Sequence, residues 1–314
     1  MPRVMRALPN ATVVCDKRCV TALSQHFDTS AWKFQVVAEG ETLSLGKRTL
    51  QFVETPMVHW PESMFTYVPE EKLLFSMDAF GQHFATAERF DDDASLYAIM
   101  EQAKAYYANI VMPYGKSVVA CLKKAEGLPI EMIAPSHGVI WRSRVAEIVR
   151  KYQDWSLCRP KPKVAVIYDS MWGSTEKMAQ AILEGASLPG VAARLIHIRR
   201  SNLTRIATEM VDTAGVAFGS STLNRSMMPM AAAVLAYLGG LRPTNKASFA
   251  FGSFGWGRGA TEAIDESLRA MNWDLLRDPL KCQFRPTPEA LDECREAGKT
   301  LAERALQMAA EAAV

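Results

Sequence analysis

The sequence predicts an α/β protein of two domains, an α/β sandwich over residues 1–157 and a doubly wound, five-stranded parallel sheet over residues 158–314. The length of 314 residues suits two domains of ordinary size. After residue 160, strand-like and helix-like segments alternate, which is typical of parallel strands joined by crossover helices. Before residue 160, short strand-like segments with polar turns precede the helical ones, and this pattern favours a sandwich.

The first domain is predicted from short apolar runs bounded by polar turns. Its predicted strands are Thr12–Cys15, Phe34–Val37, Thr49–Glu54, Phe65–Val68, Lys72–Ser76 and Ile130–Ala134. Its predicted helices are Ala94–Ala108, Gly115–Ala125 and Arg142–Trp155. Strands and helices are less regularly spaced here than in the second domain, so a second doubly wound sheet is not expected.

The second domain is predicted to begin after a linker that contains Pro160 and Pro162, because these prolines exclude a helix and an apolar run follows at once. The predicted strands are Lys163–Tyr168, Arg194–Ile198, Ala214–Gly219, Ala247–Gly252 and Leu280–Arg285. The predicted helices are Thr175–Ala186, Leu203–Met210, Met230–Gly239, Ala260–Asn272 and Pro288–Ala313. Such a sheet binds ligands where its strands end and its helices begin.

The composition argues against several classes of protein. A net charge of +2 gives no reason to expect a nucleic-acid partner. No apolar run approaches the ~18 residues of a membrane span, and the first residues lack the apolar stretch of a secretory signal. We therefore expect a cytoplasmic protein with no membrane partner. The six cysteines are scattered along the chain, and we expect reduced thiols.

Three loops of the second domain follow its first, third and fourth predicted strands. The loop DSMWGSTEKMA at 169–179 offers hydroxyl groups and a glycine before a helix, which suits a phosphate group. It lacks the GxxxxGK[ST] and GxGxxG patterns, which disfavours a nucleoside triphosphate and a dinucleotide. The loops GSSTLNRSMMP at 219–229 and GSFGWGRGA at 252–260 add polar groups and aromatic rings that can stack on a flat ligand.

These loops resemble the FMN-binding loops of flavodoxin, and the second domain is therefore expected to be flavodoxin-like, with FMN as its cofactor. The competing interpretation is that they are ordinary turns of an α/β sheet. By the resemblance, the residues expected to bind FMN are Ser170, Met171, Trp172, Gly173, Ser174, Thr175, Ser221, Thr222, Leu223, Asn224, Ser253, Phe254, Gly255, Trp256 and Gly257.

Three candidate metal ligands lie in the first domain. They are His59 in TPMVHWPESM, Asp78 in LLFSMDAFG and His137 in IAPSHGVIW. Imidazole nitrogen and carboxylate oxygen suit iron, zinc or manganese, and a carboxylate can bridge two ions. A lone histidine of this kind is more often structural, so the prediction depends on the three residues together. His83, five residues after Asp78, is either a pocket residue or a surface residue.

The phrases MVHWPESM, LLFSMDAFG, APSHG and YDSMWGSTEKMA together resemble flavodiiron proteins, over essentially all 314 residues. In that family a metallo-β-lactamase-like αββα domain precedes a flavodoxin domain. The resemblance implies an oxidoreductase that passes electrons from FMN to a diiron site, where dioxygen is reduced to water or nitric oxide to nitrous oxide. It assigns His59 to the first iron and His137 to the second, with Asp78 between them.

The chain departs from the family pattern at one motif, H-x-E-x-D-H, which supplies further iron ligands in family members. No such stretch occurs in the sequence, and the earlier His26 lacks the flanking acids. We therefore expect a partial metallo-β-lactamase-like domain that lacks its N-terminal part, with impaired diiron chemistry. The alternative is an FMN-binding electron-transfer module with a metal-poor first domain. A metal-dependent hydrolase is the weakest interpretation, because hydrolysis does not use a flavin.

The resemblance also implies partners. Family members place the FMN of one subunit against the iron site of another, so a head-to-tail homodimer is expected. No rubredoxin-like segment follows the last predicted helix, so we expect a separate electron donor such as a rubredoxin or its reductase.

Overall fold

The computed structural model describes residues 1–313, and these residues form two compact units. Unit 1 comprises Met1–Tyr106 and Tyr114–Ser156, and unit 2 comprises Tyr107–Pro113 and the chain from Leu157 onward. The units are defined by contacts, and the division of domains after residue 157 stays a prediction. None of the helices within residues 1–313 combines the length and the apolar character needed to cross a membrane.

Unit 1 is built on a mixed sheet with helices. Its strands are β1 (Thr12–Cys15), β2 (Lys33–Val36), β3 (Thr42–Ser44), β4 (Thr49–Glu54), β5 (Met64–Val68), β6 (Leu73–Phe75) and β7 (Met132–Ala134). Its helices are α1 (Pro2–Ala7), α2 (Lys17–His26), α3 (Leu96–Tyr106), α4 (Gly115–Ala125) and α5 (Val145–Ser156). The sheet order is β3-β4-β5-β6-β7, in which β6 and β7 are parallel and the other neighbours are antiparallel. A separate parallel pair is formed by β1 and β2.

Helix α5 begins at Val145, so the predicted start at Arg142 was wrong. The buried carboxylate of Asp91 accepts hydrogen bonds from the backbone N–H groups of Arg142, Ser143 and Arg144, with N···O distances from 2.7 to 3.2 Å. The Asp91 side chain, some fifty positions earlier in the chain, therefore caps the amides that lie just before the helix, much as a local N-cap residue would. The helical pattern of the sequence cannot reveal a cap that comes from so far away.

Unit 2 alternates strands and helices as predicted. Its strands are β8 (Lys161–Asp169), β9 (Ala192–His197), β10 (Thr213–Ser220), β11 (Thr222–Leu223), β12 (Ser226–Met227), β13 (Ala247–Phe254), β14 (Asp274–Leu275) and β15 (Leu280–Gln283). Its helices are α6 (Ser174–Ala186), α7 (Leu203–Met210), α8 (Pro229–Leu241), α9 (Ala260–Ala270) and α10 (Pro288–Glu311).

The main sheet of unit 2 is parallel, with the order β9-β8-β10-β13 and a fifth position beside β13. The predicted doubly wound, five-stranded sheet is confirmed, but the fifth position is shared by β14 and β15. Pro279 lies between these two strands and lacks the N–H that a continuous strand would use there. The predicted fifth strand Leu280–Arg285 also ends early, at Gln283.

The core of unit 2 lies where the sheet packs on α6 and α10. Val166 of β8 and Phe249 of β13 are completely buried, as are Ile182 of α6 and Leu301 of α10. The central strands β10 and β13 are buried along nearly their whole length, which is typical of a parallel sheet with helices on both faces. The loops at the strand ends are therefore carried by a rigid framework.

A π-helical turn at Tyr107–Val111 follows α3 directly in the chain and belongs to unit 2. The predicted helix Ala94–Ala108 was therefore wrong at its end, because regular α-helix stops at Tyr106. Asn109 in this turn donates a hydrogen bond to the Thr204 carbonyl of α7 at 3.3 Å and accepts one from the Tyr237 hydroxyl of α8 at 2.8 Å.

Candidate functional site

Three loops meet at the carboxyl edge of the unit 2 sheet. Strands β8, β10 and β13 are adjacent and parallel, with Ser220 paired to Asp169 and Gly219 paired to Phe251. Their carboxyl ends consequently lie side by side. The chain order along the sheet reverses at β8, because β9 lies on one side of it and β10 on the other. Ligands of doubly wound proteins bind in the crevice at such a reversal.

A cavity of about 690 Å³ opens between these loops, a size in the usual range for small-molecule sites. Twelve of the fifteen residues predicted to bind FMN line it. They are Met171, Trp172, Ser174, Ser221, Thr222, Leu223, Asn224, Ser253, Phe254, Gly255, Trp256 and Gly257. Trp172 and Trp256 are 89% and 97% exposed, so both indole rings are available to stack on a flat ligand.

The remaining predicted residues, Ser170, Gly173 and Thr175, belong to the turn into α6. Gly173 has φ of +84°, a conformation that residues with a side chain rarely adopt. Its N–H donates to the Ser170 hydroxyl at 3.1 Å. Helix α6 begins at Ser174, and the first N–H groups of a helix have no partner within it. The turn therefore presents amides and hydroxyls of the kind that bind a phosphate group.

A buried cluster of hydroxyl groups joins the three loops. The Thr175 hydroxyl lies 2.9 Å from the Ser221 hydroxyl and 2.8 Å from the Ser253 hydroxyl. The Ser221 hydroxyl also accepts a hydrogen bond from the Met171 N–H at 3.2 Å. Thr175 is completely buried, so it fixes the positions of the loops that line the cavity.

Substitution Thr175→Val is expected to weaken FMN binding about tenfold, because valine keeps the shape of threonine and removes both hydroxyl contacts, a loss of about 1–2 kcal/mol. The dissociation constant can be measured from the quenching of flavin fluorescence. Thr208→Val is a matched control, because among residues 1–313 the Thr208 hydroxyl bonds only the Thr204 carbonyl of its own helix, α7. Equal FMN affinities for the two variants would contradict the role of the cluster.

Two features of the cavity were missing from the predicted set. Phe284 lines it directly after β15, where the sequence predicted a continuing strand. The loop after β10 contains a small antiparallel hairpin, β11–β12, whose turn residues Asn224 and Arg225 have φ of 50° and 62°. Positive φ at both central residues marks a type I′ hairpin turn, and an asparagine between short apolar runs is a signal that indicates such a turn.

The candidate metal residues of unit 1 lie together at one edge of its sheet. Because β6 and β7 are parallel neighbours, Asp78 and His137 follow adjacent strand ends. His59 reaches the same edge from the loop between β4 and β5. The Nε2 atom of His59 lies 3.2 Å from Asp78 Oδ2, and the Nε2 atom of His137 lies 3.7 Å from Asp78 Oδ1. Each carboxylate oxygen of Asp78 therefore faces one imidazole.

Neighbouring groups hold His137 in place. Its Nδ1 lies 3.2 Å from the Gln82 carbonyl oxygen, which can accept the imidazole N–H and leave Nε2 facing Asp78. The rings of Tyr106 and His83 lie 4.8 and 5.0 Å from the His137 ring. His83 is exposed, and its ring also contacts His137. It is therefore a surface residue that lies at the edge of this site. Burial raises the pKa of Tyr106, and the Asp78 carboxylate adds to the increase, which keeps the phenol protonated.

The structure does not complete a metal centre from these residues. Over residues 1–313, no group of three or more His, Cys, Asp or Glu side chains is arranged to hold a metal ion. If two ions shared Asp78, each would have one imidazole and one carboxylate oxygen from the residues described. A protein-bound transition metal typically has about four or more ligands. The residues present do not fit a complete diiron site.

Residues 1–138 match the ODP family beta lactamase, and residues 166–298 match the flavodoxin family. The chain is 42% identical to the nitric oxide reductase of Moorella thermoacetica, over 96% of this chain and 77% of that protein. It superposes on the flavodiiron protein from Giardia intestinalis with a TM-score of 0.93 and 38% identity, covering 96% and 75% of the two chains. It superposes on the rubredoxin oxygen:oxidoreductase of Desulfovibrio gigas with a TM-score of 0.94 and 37% identity, covering 98% of this chain and 78% of that chain.

Proposed function

Because this chain belongs to the flavodiiron proteins, we propose that it is an oxidoreductase that transfers electrons from bound FMN to a diiron site, for the reduction of dioxygen to water or of nitric oxide to nitrous oxide. Both gases remain in the proposal, because one relative is named a nitric oxide reductase and another a rubredoxin oxygen:oxidoreductase. The observation that carries the flavin part is the cavity lined by the three loops of unit 2.

The residues of the cavity fit FMN. The first amides of α6, with the hydroxyls of Ser170 and Ser174, would hold the phosphate. Trp172 and Trp256 offer exposed rings for the isoalloxazine. The remaining predicted loop residues would surround the ribityl chain and the ring. FMN, when bound, supplies reversible one- and two-electron transfer, and the task of these residues is to bind and orient it.

His59, Asp78 and His137 supply too few donors for two iron ions. We propose that these three residues are the ligands that this chain contributes, and that gas reduction by the chain alone is impaired. The absence of any metal-binding group of three side chains within residues 1–313 favours the second candidate, an FMN-binding electron-transfer module with a metal-poor first domain.

The proposed partners follow from the family. One structural relative is a rubredoxin oxygen:oxidoreductase, and we propose a rubredoxin or its reductase as the electron donor of this chain. A head-to-tail homodimer would bring the cavity of one subunit to the candidate metal residues of the other. A cytoplasmic location is proposed with these partners.

Flavin titration and iron analysis test the proposal together. The purified chain is expected to quench the fluorescence of about one equivalent of FMN, with a dissociation constant below about 1 μM. Iron measured by mass spectrometry after incubation with Fe²⁺ is expected to stay far below the two ions of a diiron site. Two tightly bound irons per chain would overturn the claim of impairment. FMN that remains free at micromolar protein would overturn the proposed function.

A further inference from the structure

The carboxylate of Asp169 is buried at the start of the turn that we call the phosphate loop, Ser170–Ser174. Asp169 is the last residue of β8 and only 1% exposed. Its Oδ1 accepts hydrogen bonds from the Ser170 N–H at 2.9 Å and from Arg199 Nε at 2.7 Å. Its Oδ2 has no hydrogen-bond partner among the residues described. A buried carboxylate in this position is costly unless a cation is paired with it.

Arg199 lies in a short 3-10 turn, Ile198–Arg200, that follows β9. Its guanidinium contacts the phosphate loop at two points, because Nε donates to Asp169 and Nη2 donates to the Ser170 carbonyl. Within residues 1–313, Arg199 is the only side chain that forms an ion pair with Asp169. The rigid fork of an arginine suits such a double contact.

The charge of Asp169 matters because a monoester phosphate carries about −1.5 to −2 near neutral pH. An unpaired carboxylate one residue from the phosphate loop would repel that charge, and repulsion is strong where water is excluded. The Asp169 carboxylate also accepts the hydrogen bond of the Ser170 N–H, which fixes the position of this amide. Asp169 therefore helps to set the shape of the phosphate loop. A nearby cation must balance its negative charge if the loop is to bind an anion.

We propose that Arg199 is a positioning residue for the flavin phosphate: by neutralising the buried carboxylate of Asp169, it allows the phosphate loop to accept a dianion. The inference rests on the proposed binding of FMN. Arg199 should therefore affect the affinity for FMN and not that for riboflavin, since riboflavin has the same ring and ribityl chain without the phosphate.

The test compares FMN with riboflavin on the full chain by flavin fluorescence. Arg199→Gln is expected to raise the dissociation constant for FMN about tenfold or more, and that for riboflavin less than about threefold. In Asp169→Asn/Arg199→Gln the repulsion is gone, and FMN affinity is expected within about threefold of the parent. The matched control is Arg200→Gln, because Arg200 lies in the same turn and its side chain makes no hydrogen bond or ion pair in the part of the chain described. Its FMN affinity should not change.

The outcomes separate this inference from the proposed function. A parent chain that binds neither flavin overturns both. A parent that binds FMN, with an Arg199→Gln variant that loses FMN and riboflavin affinity by the same factor, overturns only the role of Arg199. If Arg199→Gln does not fold, Asp169→Asn is measured alone. It leaves the Arg199 charge unpaired beside the phosphate loop, so FMN affinity is expected to rise about tenfold while riboflavin affinity changes less than about threefold. An equal change for the two flavins, or a loss of FMN affinity alone, overturns the inference.

Discussion

Replacing Gly298 with alanine is expected to lower the unfolding free energy of unit 2 by about 3 kcal/mol or more. Gly298 lies in α10 at its contact with α6, and a Cβ atom there would be 2.0 Å from the Ile182 carbonyl oxygen. The contact is reciprocal, because a Cβ atom at Gly185 in α6 would be 1.9 Å from the Arg295 carbonyl oxygen. Backbone atoms cannot rotate aside as side chains do, so the two helices would have to separate.

The effect of Gly298→Ala can be measured by urea denaturation followed by circular dichroism. Hydrogen exchange should show the largest loss of protection in α6 and α10. Because the phosphate loop leads directly into α6, FMN affinity should fall as well. Gly239→Ala is the matched control, since a Cβ atom at this position in α8 would meet no atom within 4 Å. It should be neutral or stabilising by up to about 1 kcal/mol, and a similar loss in both variants would contradict the close-contact argument.

Asp91→Ala is expected to destabilise unit 1 by about 3 kcal/mol, because it leaves several buried donors without an acceptor. Asp91 is 2% exposed. Besides the three amides before α5, it accepts a hydrogen bond from the Ser143 hydroxyl at 3.1 Å. Its own N–H donates to the Ile140 carbonyl at 3.0 Å. Alanine keeps that backbone bond, so the loosening should centre on residues 142–144 and the start of α5.

Hydrogen exchange resolved by peptide can localise the effect of Asp91→Ala to residues near 137–148. The neighbouring Asp92 provides the control, because its carboxylate is exposed and, in the described part of the chain, forms an ion pair only with the Arg142 side chain, at 2.8 Å. Asp92→Ala should leave protection in this region nearly unchanged. If both variants exchange at the same rate as the parent, the buried carboxylate does not hold this segment.

Much of unit 2 could be predicted from sequence because its elements are long and locally determined. After Lys163, the run VAVIY is apolar, as expected for a strand buried on both faces, and the prolines before it mark the boundary. The start of α10 at Pro288 was also readable, since proline is favoured in the first turn of a helix. The exceptions depend on distant contacts. Asp91 fixes the start of α5, and Asn109 bonds to α7 and α8.

The flavin site could be predicted from sequence more completely than the other contacts, for a related reason. The three flavin loops follow adjacent parallel strands, so their order in the chain fixes their position in the fold. His59, Asp78 and His137 were grouped by resemblance, and the strand pairing of unit 1 explains why they meet. The pairing of Asp169 with Arg199 could not be predicted from sequence, because thirty positions separate the two residues and no local sequence pattern links them. Only the neighbouring strands β8 and β9 bring them together.

The π-helical turn has a consequence for the order in which the protein is made. Unit 2 includes a piece of chain, 107–113, that leaves the ribosome long before its partners in α7 and α8 exist. During synthesis, the contact of Asn109 with Thr204 cannot form until 95 further residues have been made, and its contact with Tyr237 requires 128. A protein expressed from the proline-containing linker onward would lack residues 107–113. Its helices α7 and α8 would lose the hydrogen bonds that Asn109 makes to both of them.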